Sequence, residues 1–185
     1  MHRDPLRKLL NAYAEVYPDE KATAERIRAL VEAHPNCFDR DCLPGHITGS
    51  SWIVSHDHSK VLLTHHRKLD LWLQLGGHAD GEPDVLRTSL REAREESGMS
   101  NFRVELIRGL AIPLDLDVHT IPAYGDAPAH EHHDVRYLLV AEPDQPLVMS
   151  SESKDLRWFE NDEVESIGVD ESVLRMHRKA TALFA

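Results

Sequence analysis

Cysteine is scarce in this chain. Two residues, Cys37 and Cys42, cannot supply the bridges that hold small secreted domains together. They sit in His34-x2-Cys37-x4-Cys42-x3-His46, which has the ligand count of a zinc knuckle in an order that matches no known finger. Two reduced, partly buried thiols are the expectation. Long apolar runs are missing as well. Nothing approaches the roughly 18 consecutive apolar residues of a membrane-spanning helix, and no charged-then-apolar leader opens the chain, so a cytoplasmic location is expected. Positive charge is in deficit: 21 Lys and Arg stand against 32 Asp and Glu, for a net charge of −11. That balance argues against a nucleic-acid backbone or an anionic membrane as the main partner. It would also repel a phosphate-bearing substrate unless a bound divalent cation reversed the sign locally. There is no internal repeat and no low-complexity linker. What is present is ordinary: 185 residues, 41% hydrophobic, enough for one domain with a real core.

The texture of the chain changes once. Residues 4 to 34 suggest two helices, the first started by Asp4-Pro5 and carrying Leu6, Leu9, Leu10, Tyr13 and Val16 at helical spacing. Pro18 breaks the run, and a second helix from about Asp19 must stop by Pro35. Their mixed charges lack a basic recognition face, so they are expected to pack on the rest of the protein. From Gly45 onward short β-type runs dominate: Ile47 to Ser55, Lys60 to His65, Leu69 to Leu75, Phe102 to Leu110, Ala111 to His119, Asp134 to Ala141 and Leu156 to Phe159. Ile121 to Glu131 reads as a loop. The C-terminal residues, from about Asp170 to Phe184, suggest a helix with Leu174, His177 and Leu183 inward. One sheet with helices on both faces is the simplest packing. The expected division is a helical extension over 1–40 and a main domain over 41–185.

The stretch Gly76 to Met99, GGHADGEPDVLRTSLREAREESGM, carries the chemistry. Its second half predicts an amphipathic helix from about Asp84 to Ser97, with Pro83 in the first turn and Gly98 as a left-handed stop. Leu86, Leu90 and Ala93 are the expected core-facing residues. Glu92, Glu95 and Glu96 stand at i, i+3 and i+4, so their carboxylates leave one side of the helix within about 100°. Such a patch is usually a solvated acidic face. Here it follows an apolar segment, Leu71 to Leu75, and a Gly-Gly turn. Strand, glycine turn and carboxylate helix together suit a hard divalent cation, with a backbone carbonyl at Gly76 or Gly77 as a further oxygen ligand.

This stretch resembles the Nudix signature, Gly-x5-Glu-x7-Arg-Glu-U-x-Glu-Glu-x-Gly-U, where U is a bulky apolar residue. Gly77 matches the first glycine, and Arg91 to Met99 match the tail, with Ala93 small for its slot. The first glutamate departs: the count from Gly77 lands on Pro83, with Glu82 one residue early, which leaves open whether Glu82 reaches Arg91. The resemblance implies a Nudix-type α/β/α sandwich with a mixed β-sheet, covering roughly Thr48 to Glu163, plus the N-terminal helical extension. It also implies hydrolysis of the pyrophosphate bond of a nucleoside diphosphate linked to another moiety, with Mg²⁺ or Mn²⁺ held by Glu92, Glu95, Glu96 and Gly77. Arg91 is then an orienter of the glutamates and Glu95 the preferred general base, with Glu131 and Glu152 as alternatives. The expected partner is a small-molecule diphosphate, and oligomeric state stays open, a homodimer included.

Thirteen histidines is a high count. The densest group, Pro128 to Asp134, would put His130 and His132 on one side of an extended segment and Glu131 and His133 on the other. Imidazole with carboxylate suits zinc, manganese or iron, and equally suits hydrogen bonds to a phosphate or plain surface exposure. His78 follows the glycines directly. His78, His130, His132 and Tyr124 are the candidate substrate contacts, with Trp72 as a further ring for a base to stack on. Apart from a plain interaction domain, which would leave the glycine-carboxylate arrangement unexplained, two rival readings stand beside the hydrolase. One is an inactive nucleotide-binding sensor, which would be expected to lose a metal carboxylate. The other is an isopentenyl-diphosphate isomerase-like enzyme, which needs a reactive cysteine in an apolar pocket.

Overall fold

The computed structural model describes every residue except Met1, Asp126 and Glu152. Two helices come first, α1 (Asp4–Val16) and α2 (Lys21–Ala33), separated by a short 3₁₀ turn at Pro18–Glu20. The sheet strands follow as β1 (Gly45–Val54), β2 (Lys60–His66), β3 (Trp72–Leu73) and β4 (Leu75–His78). Helix α3 (Val85–Ser97) precedes β5 (Phe102–Val104), β6 (Asp115–Ile121), β7 (His130–Ala141) and β8 (Ser153–Glu160), and α4 (Glu171–Phe184) closes the chain. Among the described residues no helix is long and apolar enough to cross a membrane.

The eight strands form one mixed sheet. Its spine is β1 lying parallel to β7 over ten consecutive pairs, from Gly45 with Glu131 to Val54 with Val140. Both strands are buried along nearly all their length, as expected for a parallel pair covered on both faces. On its free side β1 pairs first with β4 and then with β2, while β7 pairs first with β6 and then with β5.

Register parity decides which helix covers which face. Ser51 hydrogen-bonds the Ser89 hydroxyl (2.6 Å) and carbonyl (3.0 Å), so α3 lies on the face of Ile47, Gly49 and Ser51. The alternate residues His46, Thr48, Ser50 and Trp52 point the other way. There the Trp52 ring meets His177 of α4, 6.2 Å between centroids. Helices α1 and α2 cover one end of this sandwich. Pro5, Leu6 and Leu9 line a small cavity together with Pro83, Asp84 and Val85, and Lys179 of α4 reaches both Tyr13 and Glu20 at 2.9 Å.

Several boundaries differ from the sequence expectation for physical reasons. Gly76 and Gly77 are not a turn: they are paired β4 residues, opposite Ser50 and Gly49, and the chain turns afterwards, where the Glu82 N–H bonds the Ala79 carbonyl. The buried residues of α3 are Val85, Thr88, Ser89, Ala93 and Ser97, whereas Leu86 and Leu90 only flank the core. A side-chain carbon on Gly49 would stand 2.9 Å from Thr88, so the helix approaches the strand too closely for leucine in between. The strand expected over Phe102 to Leu110 pairs only as far as Val104, and β7 begins at His130, inside the expected loop. In α4 the buried residues are Val173, Met176, His177 and Ala180; Leu183 is exposed.

Candidate active site

Helix α3 begins as its sequence demands. The Asp84 carboxylate accepts a hydrogen bond from the Arg87 N–H, capping the first turn. Gly98 ends it with φ +73°, a conformation that costs a residue bearing Cβ about 1 kcal/mol or more.

Between these caps the three glutamates meet β4. The Gly76 N–H donates to Glu96 Oε2 at 2.9 Å. Glu92 lies on the Gly77 backbone: a side-chain carbon at Gly77 would sit 2.5–2.7 Å from its carboxylate atoms. Arg91 organises the rest. Its guanidinium donates to the His78 carbonyl (2.7 Å), pairs with Glu92 (2.7 Å) and pairs with Glu95 (3.1 Å). Burial pushes the Glu92 carboxyl up from the ordinary value, with Arg91 opposing and Glu95 adding to the rise. Glu95 is exposed, its side chain 60% accessible.

Glu82 does not take the place beside Arg91. Its carboxylate accepts from the Asp84 N–H at 3.0 Å, which stiffens the approach to α3 and settles the question its odd spacing raised.

On the opposite sheet face, the α4 side, a row of polar side chains runs across four strands. Asp134 accepts from Thr48 (2.8 Å), Ser50 (2.8 Å) and Arg136 Nε (2.7 Å). Arg136, 2% exposed, continues to Asp115 and Asp117 at 3.2 Å each. Arg175 and Lys179 of α4 complete the network on Asp115. Burial alone would raise the Asp117 carboxyl, but His119, Arg136 and Arg175 more than offset it and hold it well below the usual range. At the other end of the row stand His46, His78, His119, His130 and His132, with ring centroids 4.9–5.5 Å from His132.

Residues 46–182 match the NUDIX domain. The chain belongs to the Nudix family. It is thereby an enzyme of the Nudix hydrolase type. A hydrolase of the NUDIX family from Clostridium perfringens superimposes with a TM-score of 0.60 at 24% identity, covering 76% of this chain and 98% of its own. An Ap4A hydrolase from C. elegans gives 0.59 at 16% identity, covering 75% and 96%. The NUDIX domain of Shewanella oneidensis NrtR, solved with ADP ribose, gives 0.53 at 17% identity, covering 75% and 88%. No curated protein matches the sequence.

Within this Nudix chain the expected site residues fall into separate groups. Glu92, Glu95, Glu96, Arg91 and Gly77 gather where α3 meets β4. Their carboxylates do not form a trio of ligand atoms: among the described residues the group with that closeness is His46, His130 and His132, within 4.8 Å of one another. A divalent cation fits the α3 site nonetheless. Mg²⁺ keeps several waters and needs few protein oxygens, and Gly77, bare of Cβ, lets the Glu92 carboxylate sit directly on the β4 backbone. His78 shares its carbonyl with the first group and its ring with the second.

Tyr124 is 78% exposed on the β6–β7 loop, with Lys68 Nζ 5.7 Å from its ring centre. Trp72 packs instead, stacked on His65 at 5.0 Å and edge-on to Phe159. Glu131 points away from His130 and His132, pairing with Arg26 of α2 and with His133. Glu152 lies outside the described residues.

Cys37 and Cys42 are free and fully buried. Burial pushes the Cys37 thiol up to about 11, the reverse of what a reactive cysteine needs. Sequence reasoning missed His46 as a neighbour of the later histidines, and missed His119 and the Asp134–Arg136 network. The legible signal was a polar residue at every second position of both β6 and β7: Asp115, Asp117, His119, then His130, His132, Asp134, Arg136.

Proposed function

We propose that this protein hydrolyses the pyrophosphate bond of a nucleoside diphosphate linked to another moiety, using Mg²⁺ or Mn²⁺. The observation that carries the reading is the seating of the α3 carboxylates on the bare backbone of Gly76 and Gly77. Glu92, Glu95, Glu96 and the Gly77 carbonyl would hold the cation. When bound, it supplies the positive charge that lets a diphosphate approach a chain of net charge −11.

The chain's own residues do the rest. Arg91, tied to the His78 carbonyl, is a positioning residue that keeps Glu92 and Glu95 at fixed directions. Glu95, exposed at the helix surface, accepts the proton of the attacking water. The water oxygen bonds to phosphorus as the opposite phosphorus–oxygen bond breaks, and the leaving phosphate carries away that electron pair. Tyr124 is assigned to stacking on the base, a role supported by its exposure, and the His78 ring to contact with a substrate phosphate.

Glu96→Gln tests the reading. It is expected to lower metal-dependent turnover of a diphosphate library by about 10²-fold or more while the far-UV circular dichroism stays unchanged. Near-normal turnover in that variant would remove Glu96 from the site. Nucleotide binding by the wild type without turnover in either metal would favour the sensor instead.

A further inference from the structure

The carboxylate centre leaves the histidines of the α4 side of the sheet unexplained. His46 from β1 and His130 and His132 from β7 each bring one ring nitrogen within 4.8 Å of the other two. The register produces this: His46 is the cross-strand partner of His132, and His130 is two residues back on the same face. His78 of β4 adds a ring 5.1 Å from that of His46, and His119 of β6 one 5.5 Å from that of His132.

Two further observations separate this group from a chance stack of rings. First, His46 is 2% exposed, yet beyond an approach to the Cys42 carbonyl its ring nitrogens find no hydrogen-bond partner among the described residues, and neither does the buried Nε2 of His132. Buried polar atoms are seldom left so. Second, two of the rings, those of His130 and His119, have an outer nitrogen held by an acceptor. His130 Nδ1 faces the Pro128 carbonyl at 2.9 Å. A carbonyl only accepts, so Nδ1 carries the proton and Nε2 keeps its lone pair. His119 Nδ1 faces the Asp117 carboxylate at 2.9 Å in the same sense. A carbonyl or carboxylate on the outer nitrogen is how metal-ligating imidazoles are oriented. Arg40, whose charge acts on His46 and His78, is paired with Asp80 at 2.7 Å.

We propose that His46, His130 and His132 form a binding site for one divalent transition-metal ion of the Zn²⁺ type, separate from the carboxylates of α3. Imidazole donors favour such ions over Mg²⁺. Zinc–nitrogen bonds of about 2.0–2.1 Å space tetrahedral ligands by roughly 3.4 Å, which the present spacing reaches by small ring rotations. His78 and His119 are the neighbours from which a further nitrogen would come. None of the three ligands lies on α3, so the site does not rest on the hydrolase reading.

The test is a Co²⁺ titration of the full chain after chelator treatment, read by visible absorption. The expected result is a set of ligand-field bands that saturates at a single equivalent, yields to Zn²⁺ and ignores excess Mg²⁺. His130→Gln, at a half-buried position, and His132→Gln are each expected to weaken Co²⁺ binding by about tenfold or more, with folding checked by circular dichroism. Glu96→Gln is expected to keep the bands while losing turnover, which separates this site from the catalytic one. Absence of the bands in the wild type, their persistence in both histidine variants, or their loss in Glu96→Gln would overturn the proposal.

Discussion

At Gly77 a single hydrogen atom in place of a methyl group decides whether Glu92 has somewhere to go. The Glu92 carboxylate occupies the volume any Cβ would claim, and Arg91 holds it there. Gly77→Ala is therefore expected to push Glu92 off β4 and to raise the Mg²⁺ concentration for half-maximal turnover by about tenfold or more. Gly77 has no positive φ to lose, so the melting temperature should move little; a metal titration beside a thermal melt checks both. The identity of these residues was legible in the sequence, because Gly77 and the run Arg91 to Gly98 carry a spacing that few other arrangements share. What was not legible was how they meet. Glu92 and Glu95 both turn to Arg91, and Glu82 turns to Asp84, because such choices depend on side-chain torsions and backbone approach distances that spacing does not encode.

Among the elements, β1 and α3 show what close approach demands of both partners. Gly49 on the strand faces Thr88 and the Val85 carbonyl, and a Cβ there would meet them at 2.9 and 3.0 Å. The helix answers with small or short polar residues, Thr88, Ser89, Ala93 and Ser97, on its buried side. Gly49→Ala is expected to cost about 1–3 kcal/mol by overpacking this seam, measured as a shift in the denaturant midpoint at unchanged slope. The periodicity of α3 pointed to Leu86 and Leu90 as core residues, and hydrophobicity misled there because the seam is too thin for them. Helices α1, α2 and α4 were legible within a residue or two from Pro, Asp and apolar spacing. Strand β4 was not, since two consecutive glycines signal a turn by local propensity, and only the ladder to β1 makes them a strand.

The molecule as a whole is held together on the α4 side by charge as well as by apolar packing. Asp115, with no exposed surface, receives Arg136, Arg175 and Lys179, and through Lys179 the network reaches Glu20 of the N-terminal segment. Arg136→Met is expected to destabilise the protein by about 3–5 kcal/mol, since it leaves Asp134 and Asp115 short of a partner inside the protein. Added salt should not mimic that loss, because burial shields the pairs from counter-ions; chemical denaturation at two ionic strengths checks both statements. Nothing in an apolar reading of Tyr137 to Ala141 revealed the arginine just before them as fully enclosed. Its partners come from β6 and α4, and only tertiary structure assembles them.

The parallel seam between β1 and β7 joins segments that nearly half of the chain separates. Neither a short hairpin nor a neighbouring helix can pre-form it, so closing that large loop falls late in assembly and slows it. The imidazoles of His46 and His132 face each other across that seam. Their meeting marks the moment at which the two halves of the polypeptide have found their mutual alignment.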